Sequence, residues 1–127
     1  MPEDYGVHLY GYTLYTTDQM IEEHPDLALR FLRATLRGWQ WAIENPAEAG
    51  RLALKYDPAL DEAHQAAIME ASVPLIYTGM EPIGWMHPES WEGMQATLSA
   101  QGLLEELVDI HQVYTLAFLQ QIYGGER

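Results

Sequence analysis

Apolar residues recur at three- and four-residue steps along most of this chain, the spacing of helices that bury one face. The strongest run covers 25–44. Ala28, Phe31, Leu32, Thr35, Leu36, Trp39, Ala42 and Ile43 form one stripe, and Arg30, Arg33, Arg37, Gln40 and Glu44 repeat on the opposite side. Pro25 suits the first position of that helix, where a missing N–H costs nothing, and Asp26 puts negative charge at the positive end of its dipole. Upstream, Thr16 and Gln19 have capping-box spacing and predict a short helix. Downstream, Asn45-Pro46 ends the long helix and predicts a cap for the next.

The same pattern predicts four further helical segments. Pro46 to about Lys55 turns Ala49, Leu52, Ala53 and Tyr56 inward. A helix capped by Asp61 runs to about Val73, with Ala63, Ala67, Ile68, Ala71 and Leu75 inward and Pro74 as its interruption. Pro88 opens another with His87 at the cap position; Trp91, Met94, Thr97 and Leu98 share one side. Gly102 is its left-handed terminator, with Leu103 and Leu104 closing over the end. Ile110 to Tyr123 gives one or two short helices with Val113, Leu116, Ala117, Leu119 and Ile122 as core. Two stretches break the helical period. Val7 to Thr16 is rich in β-branched and aromatic residues and predicts one extended strand, in which Gly11 marks a bulge, a bend or a close backbone approach. Residues 77–88 hold two glycines and two prolines and predict a structured loop or tight hairpin.

At 127 residues the chain is the size of one domain, and 48% hydrophobic against 20% charged residues places it among globular proteins. No apolar run approaches the roughly 20 residues of a membrane span. Residues 1–10 lack the basic-then-apolar layout of a secretory leader, so the expected location is cytoplasmic if Met1 is the natural start. A net charge of −13 argues against a nucleic-acid partner, since phosphate contacts need clustered Lys and Arg. The charge is uneven. Residues 25–56 carry five basic groups and three acids, whereas 57–127 carry eleven acids and one arginine. A generic acidic surface and a basic patch used for docking both fit that pattern.

Chemistry-bearing patterns are sparse. There is no cysteine, hence no disulfide, thiolate metal site or cysteine nucleophile. His8, His24, His64, His87 and His111 are scattered without metal-ligand spacing, so no metal and no cofactor are expected. Glu22-Glu23 and Glu105-Glu106 are adjacent pairs, which rarely face one cavity as a catalytic couple must. No nucleophile elbow, phosphate loop or dinucleotide fingerprint occurs, and no catalytic residue is assigned. The aromatics are more suggestive. Tyr10, Tyr12 and Tyr15 cluster around Gly11, and Trp85 sits in the Gly/Pro loop; rings beside permissive backbone can hold a flat ligand or can simply cover a helix stripe.

Four segments, taken in order, resemble a known family. They are YGYTLYTT at Tyr10–Thr17, IEEHPDLALRFLRATLRGWQWAIENPAEA at Ile21–Ala49, PIGWMHPESW at Pro82–Trp91 and QGLLEELVDIHQVYTLAFL at Gln101–Leu119. Together they are similar to the C-terminal third of solute-binding proteins related to thiamine-pyrimidine biosynthesis proteins and to the nitrate, sulfonate and taurine receptors of ABC importers. The resemblance implies two α/β lobes joined by crossover strands, a ligand in the cleft, an ABC permease as partner and a periplasmic or extracytoplasmic location. Val7 to Thr16 would be the strand returning from one lobe to the other, with Gly11 at the hinge. Residues 1–16 would then be the strand and hinge segment, and 17–123 the helical part of the first lobe, of one partial domain spanning 1–127.

The expected fold class is therefore mainly α with one short N-terminal β-strand, part of an α/β lobe whose helices normally pack on a sheet. A full receptor of this kind is more than twice as long, so the chain is expected to be a fragment or a standalone homo-oligomer. The functional expectation is a non-catalytic solute receptor component for a small organic nutrient, a thiamine-precursor pyrimidine being one candidate. Tyr10, Tyr12 and Trp85 are the candidate ligand contacts. The alternative is a sensor-type protein-interaction module that oligomerises through its apolar helix face. Pyrimidine-synthesising relatives that are enzymes rely on a histidine and a cysteine-rich segment; this chain has no cysteine, so enzymatic function is not expected.

Overall fold

In a computed structural model of the chain, residues 10–124 are described. Six α-helices are present among them: α1 (Asp18–Glu23), α2 (Pro25–Glu44), α3 (Pro46–Leu52), α4 (Glu62–Ile76), α5 (Pro88–Ala100) and α6 (Ala117–Gly124). Short 3-10 turns occupy Ala53–Lys55 and Ile110–Gln112. The mainly helical class is as the sequence pattern predicts. Of the expected strand Val7–Thr16, residues 7–9 lie outside the described residues, and 10–16 run without a strand ladder. The contacts gather into two units, Gln19–Gly84 and a second that takes in 10–18 and 85–124.

In the Gln19–Gly84 unit, α2 begins and ends at the predicted residues, with Pro25 in its first turn. Its buried face is rotated from the predicted stripe. Leu29 and Leu36 are the buried residues, Leu32 and Ile43 are half-buried beside them, and Phe31 and Trp39 stay exposed. At about 100° per residue, Leu29 and Leu36 lie together on one side while Phe31 lies well over 100° away. The apolar arc is simply wider than the neighbours can cover. Asn45 also differs from its expected role. Its side-chain amide donates to the Trp41 carbonyl at 2.9 Å, as does its own backbone N–H, so it closes the end of α2 and makes no side-chain cap for α3. The Thr16–Gln19 box is not formed either: α1 starts at Asp18, and the Gln19 amide donates down the helix to Glu23 at 3.0 Å.

The closest packing in this unit joins α3 to α4 at Gly50. The glycine is buried, and a Cβ built on it would lie 2.5 Å from the Gln65 carbonyl oxygen and 2.6 Å from the Ala66 nitrogen. Only a residue without a side chain lets two helix backbones approach that far. Arg51 adds an ion pair to Glu62 at 2.9 Å, mostly exposed on both sides and so of small energetic weight. Past α3 the helix tightens into the 3-10 turn and the chain leaves it, so the α-helical spacing no longer carries Tyr56 inward; it is 92% exposed.

Asp61 caps α4 as predicted, its carboxylate accepting from the His64 N–H at 2.7 Å. Asp61→Ala is expected to cost about 1 kcal/mol, seen as a lower melting temperature by far-UV circular dichroism. Pro74 does not end the helix. The backbone continues to Ile76, and the Tyr77 N–H closes it on the Val73 carbonyl at 3.0 Å. The inward face of α4 is the opposite of the one predicted. Gln65, Ala66, Met69, Ser72, Val73 and Ile76 are half-buried, whereas Ala63, Ala67, Ile68, Ala71 and Leu75 are exposed.

In the other unit, α5 starts at Pro88 after His87. It ends in a Schellman turn: Gly102 takes φ +68°, its N–H donates to Ser99 O at 3.0 Å, and Leu103 N–H donates to Leu98 O at 2.9 Å. Leu103 is 69% exposed and does not close over the helix end; Leu104 is half-buried. Leu119 and Ile122 of α6 are the buried residues, as expected, while Val113 and Ala117 are exposed.

Candidate ligand-binding site

A string of three aromatic rings runs through the unit built on α5. Trp91 sits in the first turn of that helix, three residues before Met94, so both half-buried side chains share one side. Tyr114 follows the 3-10 turn at Ile110–Gln112, which Asp109 starts by accepting from the His111 N–H at 3.0 Å. Gln95 of α5 accepts from the Val108 N–H at 2.6 Å and ties this returning loop to the helix. The Trp91 and Tyr114 rings are nearly parallel, 12° apart with centroids at 5.5 Å, an offset stack.

Tyr10 completes the string. Its ring lies 5.4 Å from Trp91 at 51°. Its hydroxyl accepts from the His87 N–H at 2.7 Å, and its own N–H points at the Met94 sulfur at 3.4 Å. Three contacts thus hold the first described residue against α5. The His87 amide is one of the N–H groups that a helix start leaves without an internal partner, and the Tyr10 hydroxyl takes that place.

One polar atom in this cluster is unpaired. The indole N–H of Trp91 is buried and has no acceptor among the described residues. A buried donor without a partner costs about 1–3 kcal/mol, and nearly all such donors in folded proteins are satisfied. The cluster therefore combines three packed rings with one donor held out of water, which a displaced neighbour would open to a ring nitrogen or carbonyl oxygen.

The other sequence candidates lie apart from this contact set. Tyr12 is fully exposed at 103%, and Tyr15 is 95% exposed. Trp85 is half-buried just before α5, with no ring contact to the three. Gly11 forms a bend; it has no positive φ, and a Cβ there would meet nothing within 4 Å, so its backbone does not require glycine. Trp91 was legible only as a helix-face residue, and Tyr114 was not among the core residues expected of the Ile110–Tyr123 stretch; it lies in the connection between the 3-10 turn and α6. Among the described residues no group of three His, Asp or Glu side chains could hold a metal. No helix among them is long and apolar enough to cross a membrane.

Comparison with known proteins adds what the geometry does not carry. The NMT1/THI5-like family profile matches residues 1–49 of the chain. The formylaminopyrimidine-binding protein of Halalkalibacterium halodurans is 35% identical over 115 residues, 84% of this chain and 34% of that protein. Riboflavin-binding protein RibY of Chloroflexus aurantiacus is 29% identical over 109 residues, 81% of this chain and 31% of that protein. The chain spans about a third of the length of these relatives.

Proposed function

We propose that this chain is the C-terminal part, or a shortened version, of a solute receptor for an ABC importer, binding a small nitrogen heterocycle and catalysing nothing. One observation carries the reading. Two proteins from different organisms, each named for binding a flat heterocycle, align with more than four fifths of the chain. A formylated aminopyrimidine and a flavin differ in size but share a planar ring edged with nitrogen and oxygen acceptors. The Tyr10–Trp91–Tyr114 surface with its buried indole donor suits that shared chemistry.

In this reading Tyr10 and Trp91 form the wall of the ligand site, with Tyr12 and Trp85 as further contacts and Gly11 as the hinge between receptor lobes. The partners are the solute and the permease, and the location is extracytoplasmic. Thermal-shift titration with formylaminopyrimidine, riboflavin, taurine and nitrate tests it. One of the two heterocycles is expected to raise the melting temperature by roughly 10 °C at 100 times its Kd, equivalent to about 2.7 kcal/mol, while taurine and nitrate leave it unchanged. A melt that no heterocycle moves counts against binding by this chain.

A further inference from the structure

The surface of α2 is ordered by charge as well as by hydropathy. Arg30, Arg33 and Arg37 stand in one row along it, Arg30 and Arg37 exposed and Arg33 half-buried. None of the three has an ion-pair partner among the described residues, unlike Arg51. Arginines three and four residues apart on a helix repel one another, a cost that negative charge laid beside them removes. The acids lie on the other side of Ala28. Asp26 is on the same row, four residues before Arg30, and Glu22 and Glu23 come just ahead of the helix; all three are exposed. Beside the row runs an exposed apolar arc of Leu27, Phe31, Ala34 and Gly38, in which Leu27 is 48% and Phe31 62% exposed.

We infer that this surface is self-complementary and that a second copy of this chain occupies it, the two α2 helices crossing antiparallel about a two-fold axis at the level of Ala28. Asp26 and Arg30 lie two residues either side of that level, and Glu23 and Arg33 five. Asp26 therefore faces Arg30 of the second copy and Glu23 faces its Arg33, and each pairing occurs twice, as a two-fold contact requires. Leu27 and Phe31 meet the same two residues of the second copy and supply the apolar burial that drives the contact. Other occupants fail on charge. A nucleic acid or an anionic membrane attracts the arginines but repels Glu22, Glu23 and Asp26 beside them, and the chain as a whole carries −13. That surplus also acts between two copies, but at about 0.15 M salt it is screened beyond about 8 Å, whereas pairs in contact keep most of their attraction. No solute takes part, so the contact stands or falls apart from the receptor reading.

Exchange of charge tests it. One variant carries Glu23→Arg with Asp26→Arg, and a second carries Arg30→Glu with Arg33→Glu; far-UV circular dichroism checks that each keeps the helicity of the parent. In sedimentation velocity at the same salt, the parent is expected to pass from monomer to dimer between about 10 and 100 μM, the range of a small interface. Each variant alone brings like charges together at both pairings and should associate roughly 100-fold more weakly. An equimolar mixture of the two restores opposite charges at every pairing and should dimerise as the parent does. The single exchanges Asp26→Arg and Arg30→Glu repeat the scheme should a double variant lose helicity. A parent that stays monomeric throughout, a variant that dimerises alone as well as the parent, or a mixture that stays monomeric would each overturn the inference.

Discussion

Gly50→Ala is expected to destabilise the Gln19–Gly84 unit by about 1–3 kcal/mol, although the same substitution usually strengthens a helix. The added methyl would sit 2.5–2.6 Å from three backbone atoms of Gln65 and Ala66. Backbone cannot rotate aside as a side chain can, so α3 and α4 must separate by close to 1 Å to restore van der Waals distance. That separation loosens every contact along the pair, and the roughly 1 kcal/mol gained in helix propensity only partly offsets it. Gly38 supplies the control. It lies inside α2, exposed, with nothing within 4 Å of a built Cβ, so Gly38→Ala should instead stabilise by about 0.5–1 kcal/mol. Urea titrations followed by far-UV circular dichroism would show the two shifts. Equal shifts of one sign would mean that the α3–α4 approach leaves room for a methyl group.

The contrast between these glycines marks where sequence reasoning stops. Helix limits were legible because prolines, Asp61 and Gly102 act through local backbone chemistry: α2, the start of α5 and the Schellman turn all fall where those residues put them. The direction each helix faces depends on distant neighbours. On α4 both faces are apolar, so periodicity could not choose between Ala67 and Met69 as the inward residue, and the alanine-lined face turns outward. On α2 the apolar arc is so broad that its centre says little about which third is buried, and Leu29 was missed while Phe31 was included. Gly50 carried no signal at all, because what makes it necessary is the backbone of Gln65, fifteen residues away. Pro74 misled in the other direction, since α4 bears the loss of one N–H and continues to Ile76.

The candidate site was half legible for the same reason. Tyr10 stood out beside Gly11, but its ring partner Trp91 is 81 residues further on in α5, and Tyr114, which stacks on Trp91, comes from the loop that Gln95 holds. Trp85 stood out through its Gly/Pro surroundings, which describe a loop and carry no information about ring contacts.

Trp91 is where stability and recognition can be pulled apart by experiment. Trp91→Ala removes the central ring from between Tyr10 and Tyr114 and is expected to cost about 3–5 kcal/mol, the usual range for a large aromatic in a packed site. Trp91→Phe should behave differently. It keeps an aromatic ring in the cluster and forfeits some packing volume, but it also deletes the buried N–H that has no acceptor. Relief of about 1–3 kcal/mol from the unsatisfied donor opposes the loss of packing, so the phenylalanine variant should melt close to the parent. If that N–H is the group that meets a heterocycle acceptor, the same variant should bind roughly tenfold more weakly, about 1.4 kcal/mol, in the titration that the parent passes. A phenylalanine variant as unstable as the alanine one would mean that the indole is held by packing alone. One that is stable and binds like the parent would take the donor out of the recognition surface and leave Tyr10 and Tyr114 to carry it.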